Sequence, residues 1–305
     1  IMSSICVFGV FVADLCFFAD KIPIKGETVL GKNHIVGPGG KGSNQAIAAA
    51  RLGGKVNLIT KIGKDQNATM ALNLYKEVGI NTDSIIQDEN QLTGVAGIMI
   101  NEKTGDNAIN IIPGAAGSLT NKDIDKNLKF IENSKIFLTQ LETPYEATSY
   151  ALSKAKHSGS ITIFNPAPAS NINESDFKSM DYFTPNETEA SFYLKKNVES
   201  KTEIAEAAKN FLNKGVKNIV ITLGSKGVYF ANSSESYFVD AFNLKNKVID
   251  TTGAGDAFNG AFAYALSKNQ SNKDAIEFAN KVAGISTTRA GAANAMPKLD
   301  EVETY

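Results

Sequence analysis

The run Asp250-Thr251-Thr252-Gly253-Ala254-Gly255-Asp256-Ala257-Phe258-Asn259-Gly260 has residue types suited to handling a charged group in transit. Small residues at 253 to 255 let backbone N–H groups come close to a ligand, and Ala257, Ala261, Phe262, Ala265 and Leu266 line one face of a following helix. A helix start carries unpaired amides and the positive end of its dipole, so this bend is a cradle for an anion. Asp256 lies within it and is the one residue there able to accept a proton. Aspartate is also a common helix cap, and local sequence leaves capping and catalysis level. Neighbouring amides weaken an aspartate as a base. That objection carries least against phosphoryl transfer, where the transition state is loose and the carboxylate chiefly orients the attacking hydroxyl.

A second cluster, Gly37-Pro38-Gly39-Gly40-Lys41-Gly42-Ser43-Asn44-Gln45-Ala46, holds four glycines in six residues. Such backbone is expected to be non-helical and to turn sharply or touch a ligand, with Asn44 on the first turn of the next helix. Amides and an Asn suit a polyhydroxylated ligand; a plain glycine loop with Lys41 in water is the alternative. The match to the dinucleotide fingerprint at Gly37, Gly39 and Gly42 is rejected. The next strand ends at Ile59-Thr60-Lys61 without the acid that holds a ribose, which counts against a nicotinamide-dependent oxidoreductase. A near-match to a phosphate-binding loop at Gly26 to Asn33 fails because Asn33 replaces the Mg²⁺-binding hydroxyl and Val29-Leu30 favour a strand.

In Thr184-Pro185-Asn186-Glu187-Thr188-Glu189, Asn186 and Glu189 stand three apart at a helix start. They suit either water around a Mg²⁺–phosphate unit or a capping box. Thr222-Leu223-Gly224-Ser225-Lys226-Gly227 reads as a nucleotide-contacting turn or as a β-turn. Glu142 stands just past a strand, the usual ligand position in open α/β sheets.

The elements that must position these residues alternate as β and α. Ile5 to Phe8, Val56 to Ile59, Lys135 to Leu138, Ile161 to Phe164 and Ile219 to Thr222 read as strands, and Val248-Ile249 as the end of another. Asn44 to Leu52, Ala68 to Val78, Tyr145 to Ala155 and Ile204 to Leu212 read as helices. The expected class is α/β, a mainly parallel sheet flanked by helices. Segments of about 11–36 and 94–112 break the rhythm as β-hairpin material, a small sheet covering one end of the core as a lid. No repeat or linker divides the 305 residues, so a single domain over 1–305 is expected.

With 31 basic against 32 acidic side chains, the net charge of −1 offers no reason to expect nucleic acid or an anionic membrane as partner. Cys6 and Cys16 read as small buried hydrophobes, and His34 and His157 have no companions for a zinc site or a His-based triad. No run of about eighteen apolar residues exists, nor a basic segment before a leader-like stretch. The expectation is a cytoplasmic protein.

Taken together, Gly37 to Gln45, Asn165-Pro166-Ala167-Pro168-Ala169, Thr184 to Ala190 and Asp250 to Asp256 resemble, in order along nearly the whole chain, the ribokinase-like (PfkB) family of sugar kinases. The resemblance implies transfer of the ATP γ-phosphate to an exocyclic sugar hydroxyl, with the 5-hydroxyl of D-ribose the expected acceptor. Fructose, a keto-deoxy sugar acid or a nucleoside are the alternatives. It implies Asp256 as the base and Gly253, Ala254 and Gly255 as the anion hole. Asp14, Gly40, Lys41, Asn44 and Glu142 would hold the sugar; Asn186, Thr222, Gly224, Ser225, Gly227, Gly255 and Asn280 would face ATP. Mg²⁺ would be held through water near Asn186 and Glu189. A monovalent cation, usually K⁺, would lie by Asp250, Thr252, Ser286, Arg289, Gly291 and Ala295, several through backbone carbonyls. The lid, with apolar residues such as Phe17 and Phe18, is expected to form a homodimer interface. The family usually has Asn two residues before the sugar-binding Asp, where this chain has Val12; Gly114-Ala115-Ala116 replaces a Gly-Ala-Asn, and Asn280 a common His.

Overall fold

Ser-Ile-Cys-Val-Phe carries apolar groups for both faces of a strand, and as β1 (Ser4–Phe8) it lies inside the larger sheet with every residue buried. The computed structural model describes residues 4–244 and 247–305. After β1 come β2 (Val12–Ala19), β3 (Asn33–Gly39), α1 (Lys41–Arg51), β4 (Lys55–Ile62), α2 (Gln66–Val78), β5 (Ile85–Gln87), β6 (Thr93–Asn101) and β7 (Asn107–Gly114). Then follow α3 (Asn121–Lys126), α4 (Leu128–Glu132), β8 (Ile136–Thr139), α5 (Tyr145–His157), β9 (Ile161–Phe164), β10 (Tyr182–Phe183), α6 (Glu187–Leu194) and α7 (Lys201–Asn213). The chain closes with β11 (Asn218–Thr222), β12 (Val228–Asn232), β13 (Ser236–Val239), α8 (Ala254–Ser267), α9 (Asn272–Ser286) and α10 (Leu299–Thr304).

The larger sheet has the order β13-β12-β11-β10-β9-β8-β1-β4-β5. It is parallel from β11 to β5, and β12 and β13 extend it antiparallel. Alternation along β1 divides the core: Ile5 and Val7 pack with α1, α2, α8 and α9, whereas Cys6 and Phe8 pack with residues of α5 and α7. Helices therefore cover both faces. The smaller sheet, β3-β2-β6-β7, is built from the two hairpin-like segments. β2 and β3 pair antiparallel, β6 and β7 likewise, and β2 runs parallel to β6.

Two glycines set how closely helices approach the site. A Cβ on Gly260 of α8 would stand 2.4 Å from the Gln45 carbonyl oxygen, so α1 and α8 touch through backbone. A Cβ on Gly42 would stand 2.5 Å from Cα of Gly9, which seats the start of α1 on the end of β1.

Two expectations are corrected. Val248-Ile249 is not a strand: both residues are exposed, and Ile249 and Asp250 donate backbone N–H groups to the Thr287 carbonyl at the end of α9. That helix end satisfies the backbone a sheet would have paired. The glycine cluster is not one loop either. Gly37 and Gly39 belong to β3 and Gly42 to α1, and the turn is concentrated at Gly40, with φ of 87°. With a strand before Gly40 and a helix after it, the segment needs only one residue of unusual backbone. Cys16 is only half-buried, since it lies on the smaller sheet.

Candidate active site

The C-terminal ends of the parallel strands converge on one region, where open α/β sheets bind their ligands. Gly9 follows β1, Gln140 and Glu142 follow β8, Asn165 follows β9, Thr184 and Asn186 follow β10, and Thr222 ends β11. Above them stands the N-terminus of α8, whose cap residue Gly253 has φ of 74° and supplies no side-chain hydrogen bond. Ala254 N–H donates to the Thr251 carbonyl at 3.2 Å, and no side chain caps the other amides of this helix start, which suits them to a ligand. A Cβ on Gly255 would meet nothing within 4 Å, so free space lies against this helix start.

Asp256, in the first turn of α8, is 5% exposed and turned toward the start of α1. Asn44 Nδ2 donates to its Oδ2 at 2.9 Å and Gln45 Nε2 to its Oδ1 at 2.9 Å. Its carboxylate thus accepts bonds from side chains of α1, and the helix cap is Gly253, so the capping reading of Asp256 does not hold. The Asn44 Oδ1 is buried without a hydrogen-bond partner, an acceptor beside Asp256 that fits a ligand hydroxyl.

Around this pair stand four more charges. Glu142 Oε2 accepts the backbone N–H of Lys41 at 2.7 Å, tying the end of β8 to the start of α1. Burial pushes Glu142 up to about 7, against the pull of the Lys41 charge. Asp14 reaches in from β2 of the smaller sheet and lies across Gly39, where a Cβ would fall 2.3 Å from either carboxylate oxygen. Burial, then the charge of Asp256, raise Asp14 to about 6. Burial likewise raises Glu189 to about 7. The Lys41 ammonium is held above its ordinary value, chiefly by Asp256.

Asn186 caps α6 in a capping box: its Oδ1 accepts from Glu189 N at 2.7 Å, and Glu189 Oε2 accepts from Asn186 N at 2.8 Å. The box leaves Glu189 Oε1 uncommitted to it, and both Lys41 and Asp256 act electrostatically on Glu189. Asn186 bridges to Thr222, so two of the residues expected to face ATP are neighbours. Gly224 to Lys226 forms a 3-10 turn, with Gly224 and Gly227 at φ of 56° and 96°. Ser225 is exposed on it. Asn280, on α9, donates to the Asp240 carbonyl at 2.6 Å, and Asp240 lies beside Gly227, where a Cβ would fall 2.7 Å from its carbonyl carbon.

Asp250 accepts from the backbone N–H groups of Thr252 and Gly291, each at 2.8 Å, and so joins the α8 approach to the segment after α9. Those bonds, with burial opposing, hold it below the usual carboxylate range. Ser286 donates to the Ala283 carbonyl, and Arg289 is turned to Glu301, with its closer contact at 2.6 Å. Their side chains therefore have partners of their own, while Ala295 lies in a short 3-10 turn.

Residues 2–299 match the model of the pfkB family carbohydrate kinases. The chain belongs to that family. As a carbohydrate kinase it transfers a phosphoryl group to an alcohol of its acceptor. It is 39% identical to a ribokinase of Bacillus subtilis, over 99% of each chain. It is 34% identical to a deoxyribokinase of Salmonella typhimurium, over 99% of this chain and 98% of the relative. The structure of Arabidopsis thaliana ribokinase complexed with ribose and ATP superposes with a TM-score of 0.92 at 28% identity, covering 100% of this chain and 98% of that one. Three buried residues that touch this kinase's site, Gln45, Gln140 and Asn165, were not among those singled out for chemistry. Gln45 and Asn165 stand inside the signature segments, and a buried amide is invisible to spacing until its partners are known.

Proposed function

We propose that this kinase phosphorylates D-ribose on its 5-hydroxyl with ATP. The observation that carries the reading is the buried Asp256, joined to Asn44 beside an uncapped helix start. Asp256 orients the acceptor hydroxyl and takes its proton, while the amides of 253 to 255 stabilise charge on the transferring phosphoryl group. Asp14, Gly40, Lys41, Asn44 and Glu142 hold the sugar. Asn186, Thr222, Gly224, Ser225, Gly227 and Asn280 face the nucleotide. Bound Mg²⁺ supplies positive charge to the phosphates, and Asn186 and Glu189 would hold it through water; a monovalent cation would lie on the backbone by Asp250, Thr252, Ser286, Arg289, Gly291 and Ala295. The smaller sheet acts as the lid; Ile35, Ile109 and Ile111 are exposed on the face that carries Asp14, Phe17 on the other, and we assign the three-isoleucine surface to a homodimer contact. Such a kinase works in the cytoplasm, where ATP is made.

With the acceptor hydroxyl at Asp256, carbons 1 to 3 of the pentose lie toward β2, where Val12 shares a strand face with Asp14. Val12 makes no hydrogen bond through its side chain. A hydrogen bond nets about 0.5–1.5 kcal/mol, so discrimination against a pentose lacking one ring hydroxyl is expected to stay within roughly tenfold. This favours 2-deoxyribose as a second substrate. An ADP-release panel of ribose, 2-deoxyribose, fructose, a keto-deoxy sugar acid and a nucleoside, with and without K⁺, tests both statements. Ribose should give the highest kcat/KM and 2-deoxyribose should follow closely. Turnover confined to another acceptor would overturn the ribose reading.

The raised carboxyls set the pH dependence. Sugar hydroxyls donate to ionised carboxylates, so affinity should rise as Asp14 ionises near 6 and Glu142 near 7. Calorimetric titration with ribose from pH 5 to 8 should show tightening by about tenfold or more, a tenfold change being 1.4 kcal/mol. An affinity independent of pH would remove these two residues from the sugar site. Without sugar, the same groups stabilise the fold fully below their ordinary values of 3.8 and 4.5, and that contribution is lost as pH rises through 6 to 7.

A further inference from the structure

Behind Asp256 runs a buried, uncharged hydrogen-bond network with a fixed direction. Gln140 Nε2 donates to Gln45 Oε1 at 2.6 Å. Gln45 then has one acceptor satisfied and two N–H groups to give, which go to Asn165 Oδ1 at 3.0 Å and Asp256 Oδ1 at 2.9 Å. Asn165 in turn donates to the Thr184 carbonyl at 3.0 Å. The Thr184 hydroxyl donates to Asn259 Oδ1 at 2.7 Å, and Asn259 Nδ2 to the Gly255 carbonyl at 2.9 Å. All five side chains are buried. The ends of β8, β9 and β10 are thereby linked both to the carboxylate of Asp256 and to the backbone of the α8 start.

Every hydrogen-bonding atom of the Gln45 amide is used, and each use fixes the others. If the amide rotated end for end, its N–H groups would face the Gln140 donor and its oxygen would face two acceptors, on Asn165 and Asp256. Asn165, whose Nδ2 is committed to the Thr184 carbonyl, and the carboxylate itself therefore determine that Gln45 turns its N–H groups toward Asp256, and Gln140 holds the amide oxygen in that orientation. Gly9 makes room for this arrangement: a Cβ there would fall 2.3 Å from Gln140 Oε1. Methionines of similar volume would fill the same space without direction. Asn44 Oδ1 and Gln140 Oε1 are both buried without a protein partner, so among Asn44, Gln45, Gln140 and Asn165 only Gln45 and Asn165 have both ends of the amide held by protein partners.

We infer that Gln45, oriented by Gln140 and Asn165, is a positioning residue that fixes the rotamer of Asp256 for the acceptor hydroxyl. This rests on the reading of Asp256 as the base. A carboxylate freed from one of its two donors samples orientations away from the acceptor, and misplacement on the scale of 1 Å costs on the order of 10²-fold in rate.

The test is a double-mutant cycle with Gln45→Met and Gln140→Met, with Asp256→Asn assayed alongside, reading kcat, sugar KM and melting temperature. Gln45→Met should lower kcat by about 10- to 100-fold, with sugar KM within about threefold of the parent. Gln140→Met, which removes the donor to Gln45 Oε1, should lower kcat by roughly tenfold and add at most about twofold to the loss in Gln45→Met, because both act through one bond. Losses that multiply, a loss confined to KM, or full kcat in Gln45→Met would each overturn the inference. Should Gln45→Met prove insoluble, Gln140→Met alone decides: reduced kcat at parental KM and melting temperature supports the relay, and unchanged kcat removes it. If Asp256→Asn keeps its turnover, it is the base assignment that fails; if Asp256→Asn is inactive while Gln45→Met is not, only the positioning role fails.

Discussion

Asp256→Asn is expected to lower kcat by about 10²- to 10⁴-fold, the range lost when a general base is removed, with little change in stability. The substitution keeps shape, so the question is whether the surroundings accept an amide. Gln45 is locked as a donor toward Oδ1, which the new side chain satisfies with its carbonyl oxygen. Its new Nδ2 then faces Asn44, whose amide can reverse and accept through the otherwise unpartnered Oδ1. Packing and hydrogen bonding survive, and only the negative charge is lost. That loss has a second readout. Asp256 contributes to the upward shifts of Asp14, Glu142 and Glu189, so the pH range over which sugar affinity rises should move to lower values in the variant. Steady-state ADP release with sugar titrations between pH 5 and 8 measures both. A variant that binds sugar normally and turns over within about threefold of the parent would remove the base role, since that is under 1 kcal/mol of barrier.

The contrast between Asp256 and Gln45 shows which parts of such a site are legible in sequence. Asp256 stands out because a glycine bend before an apolar helix face narrows its uses to a helix cap or a ligand cradle, and the parallel strands announce themselves because burial on both faces leaves runs such as Ile5 to Phe8. Gln45 sits one residue beyond Asn44 and has the same chemistry on paper. Its role depends on Gln140 and Asn165, 95 and 120 residues away, which meet it only because neighbouring strands end side by side. The misread strand at Val248-Ile249 has a similar origin. Two β-branched apolar residues satisfy the local pattern, yet their backbone is taken up by the end of α9 rather than by a sheet. Glu189 is a third case: the capping box and a place facing Lys41 are compatible, because the cap uses one carboxylate oxygen.

The same distinction gives the second large effect, at the start of α8. Gly253 has φ of 74°, a left-handed conformation that costs a residue with a Cβ roughly 1–2 kcal/mol. A Cβ there would also fall 2.8 Å from the Ala292 Cβ and 3.0 Å from its Cα, so backbone must move. Gly253→Ala is therefore expected to displace the amides of 253 to 255 and lower kcat by about 10²- to 10³-fold, the loss seen when one oxyanion donor is removed. Sugar affinity should stay near parental, because Asp14, Asn44 and Glu142 are carried by β2, α1 and the end of β8. The melting temperature should fall by a few degrees, which alone leaves open whether the cradle or the fold was injured. Gly255→Ala separates them. A Cβ at 255 meets nothing within 4 Å and the residue lies inside the helix, where Ala is preferred over Gly by about 0.5–1 kcal/mol. That variant should be at least as stable as the parent. Its methyl group enters the space beside the helix start, so turnover should fall sharply if the transferring phosphate passes there. Full turnover in a stable Gly255→Ala protein would place the phosphate elsewhere and leave the Gly253→Ala loss as damage to the fold.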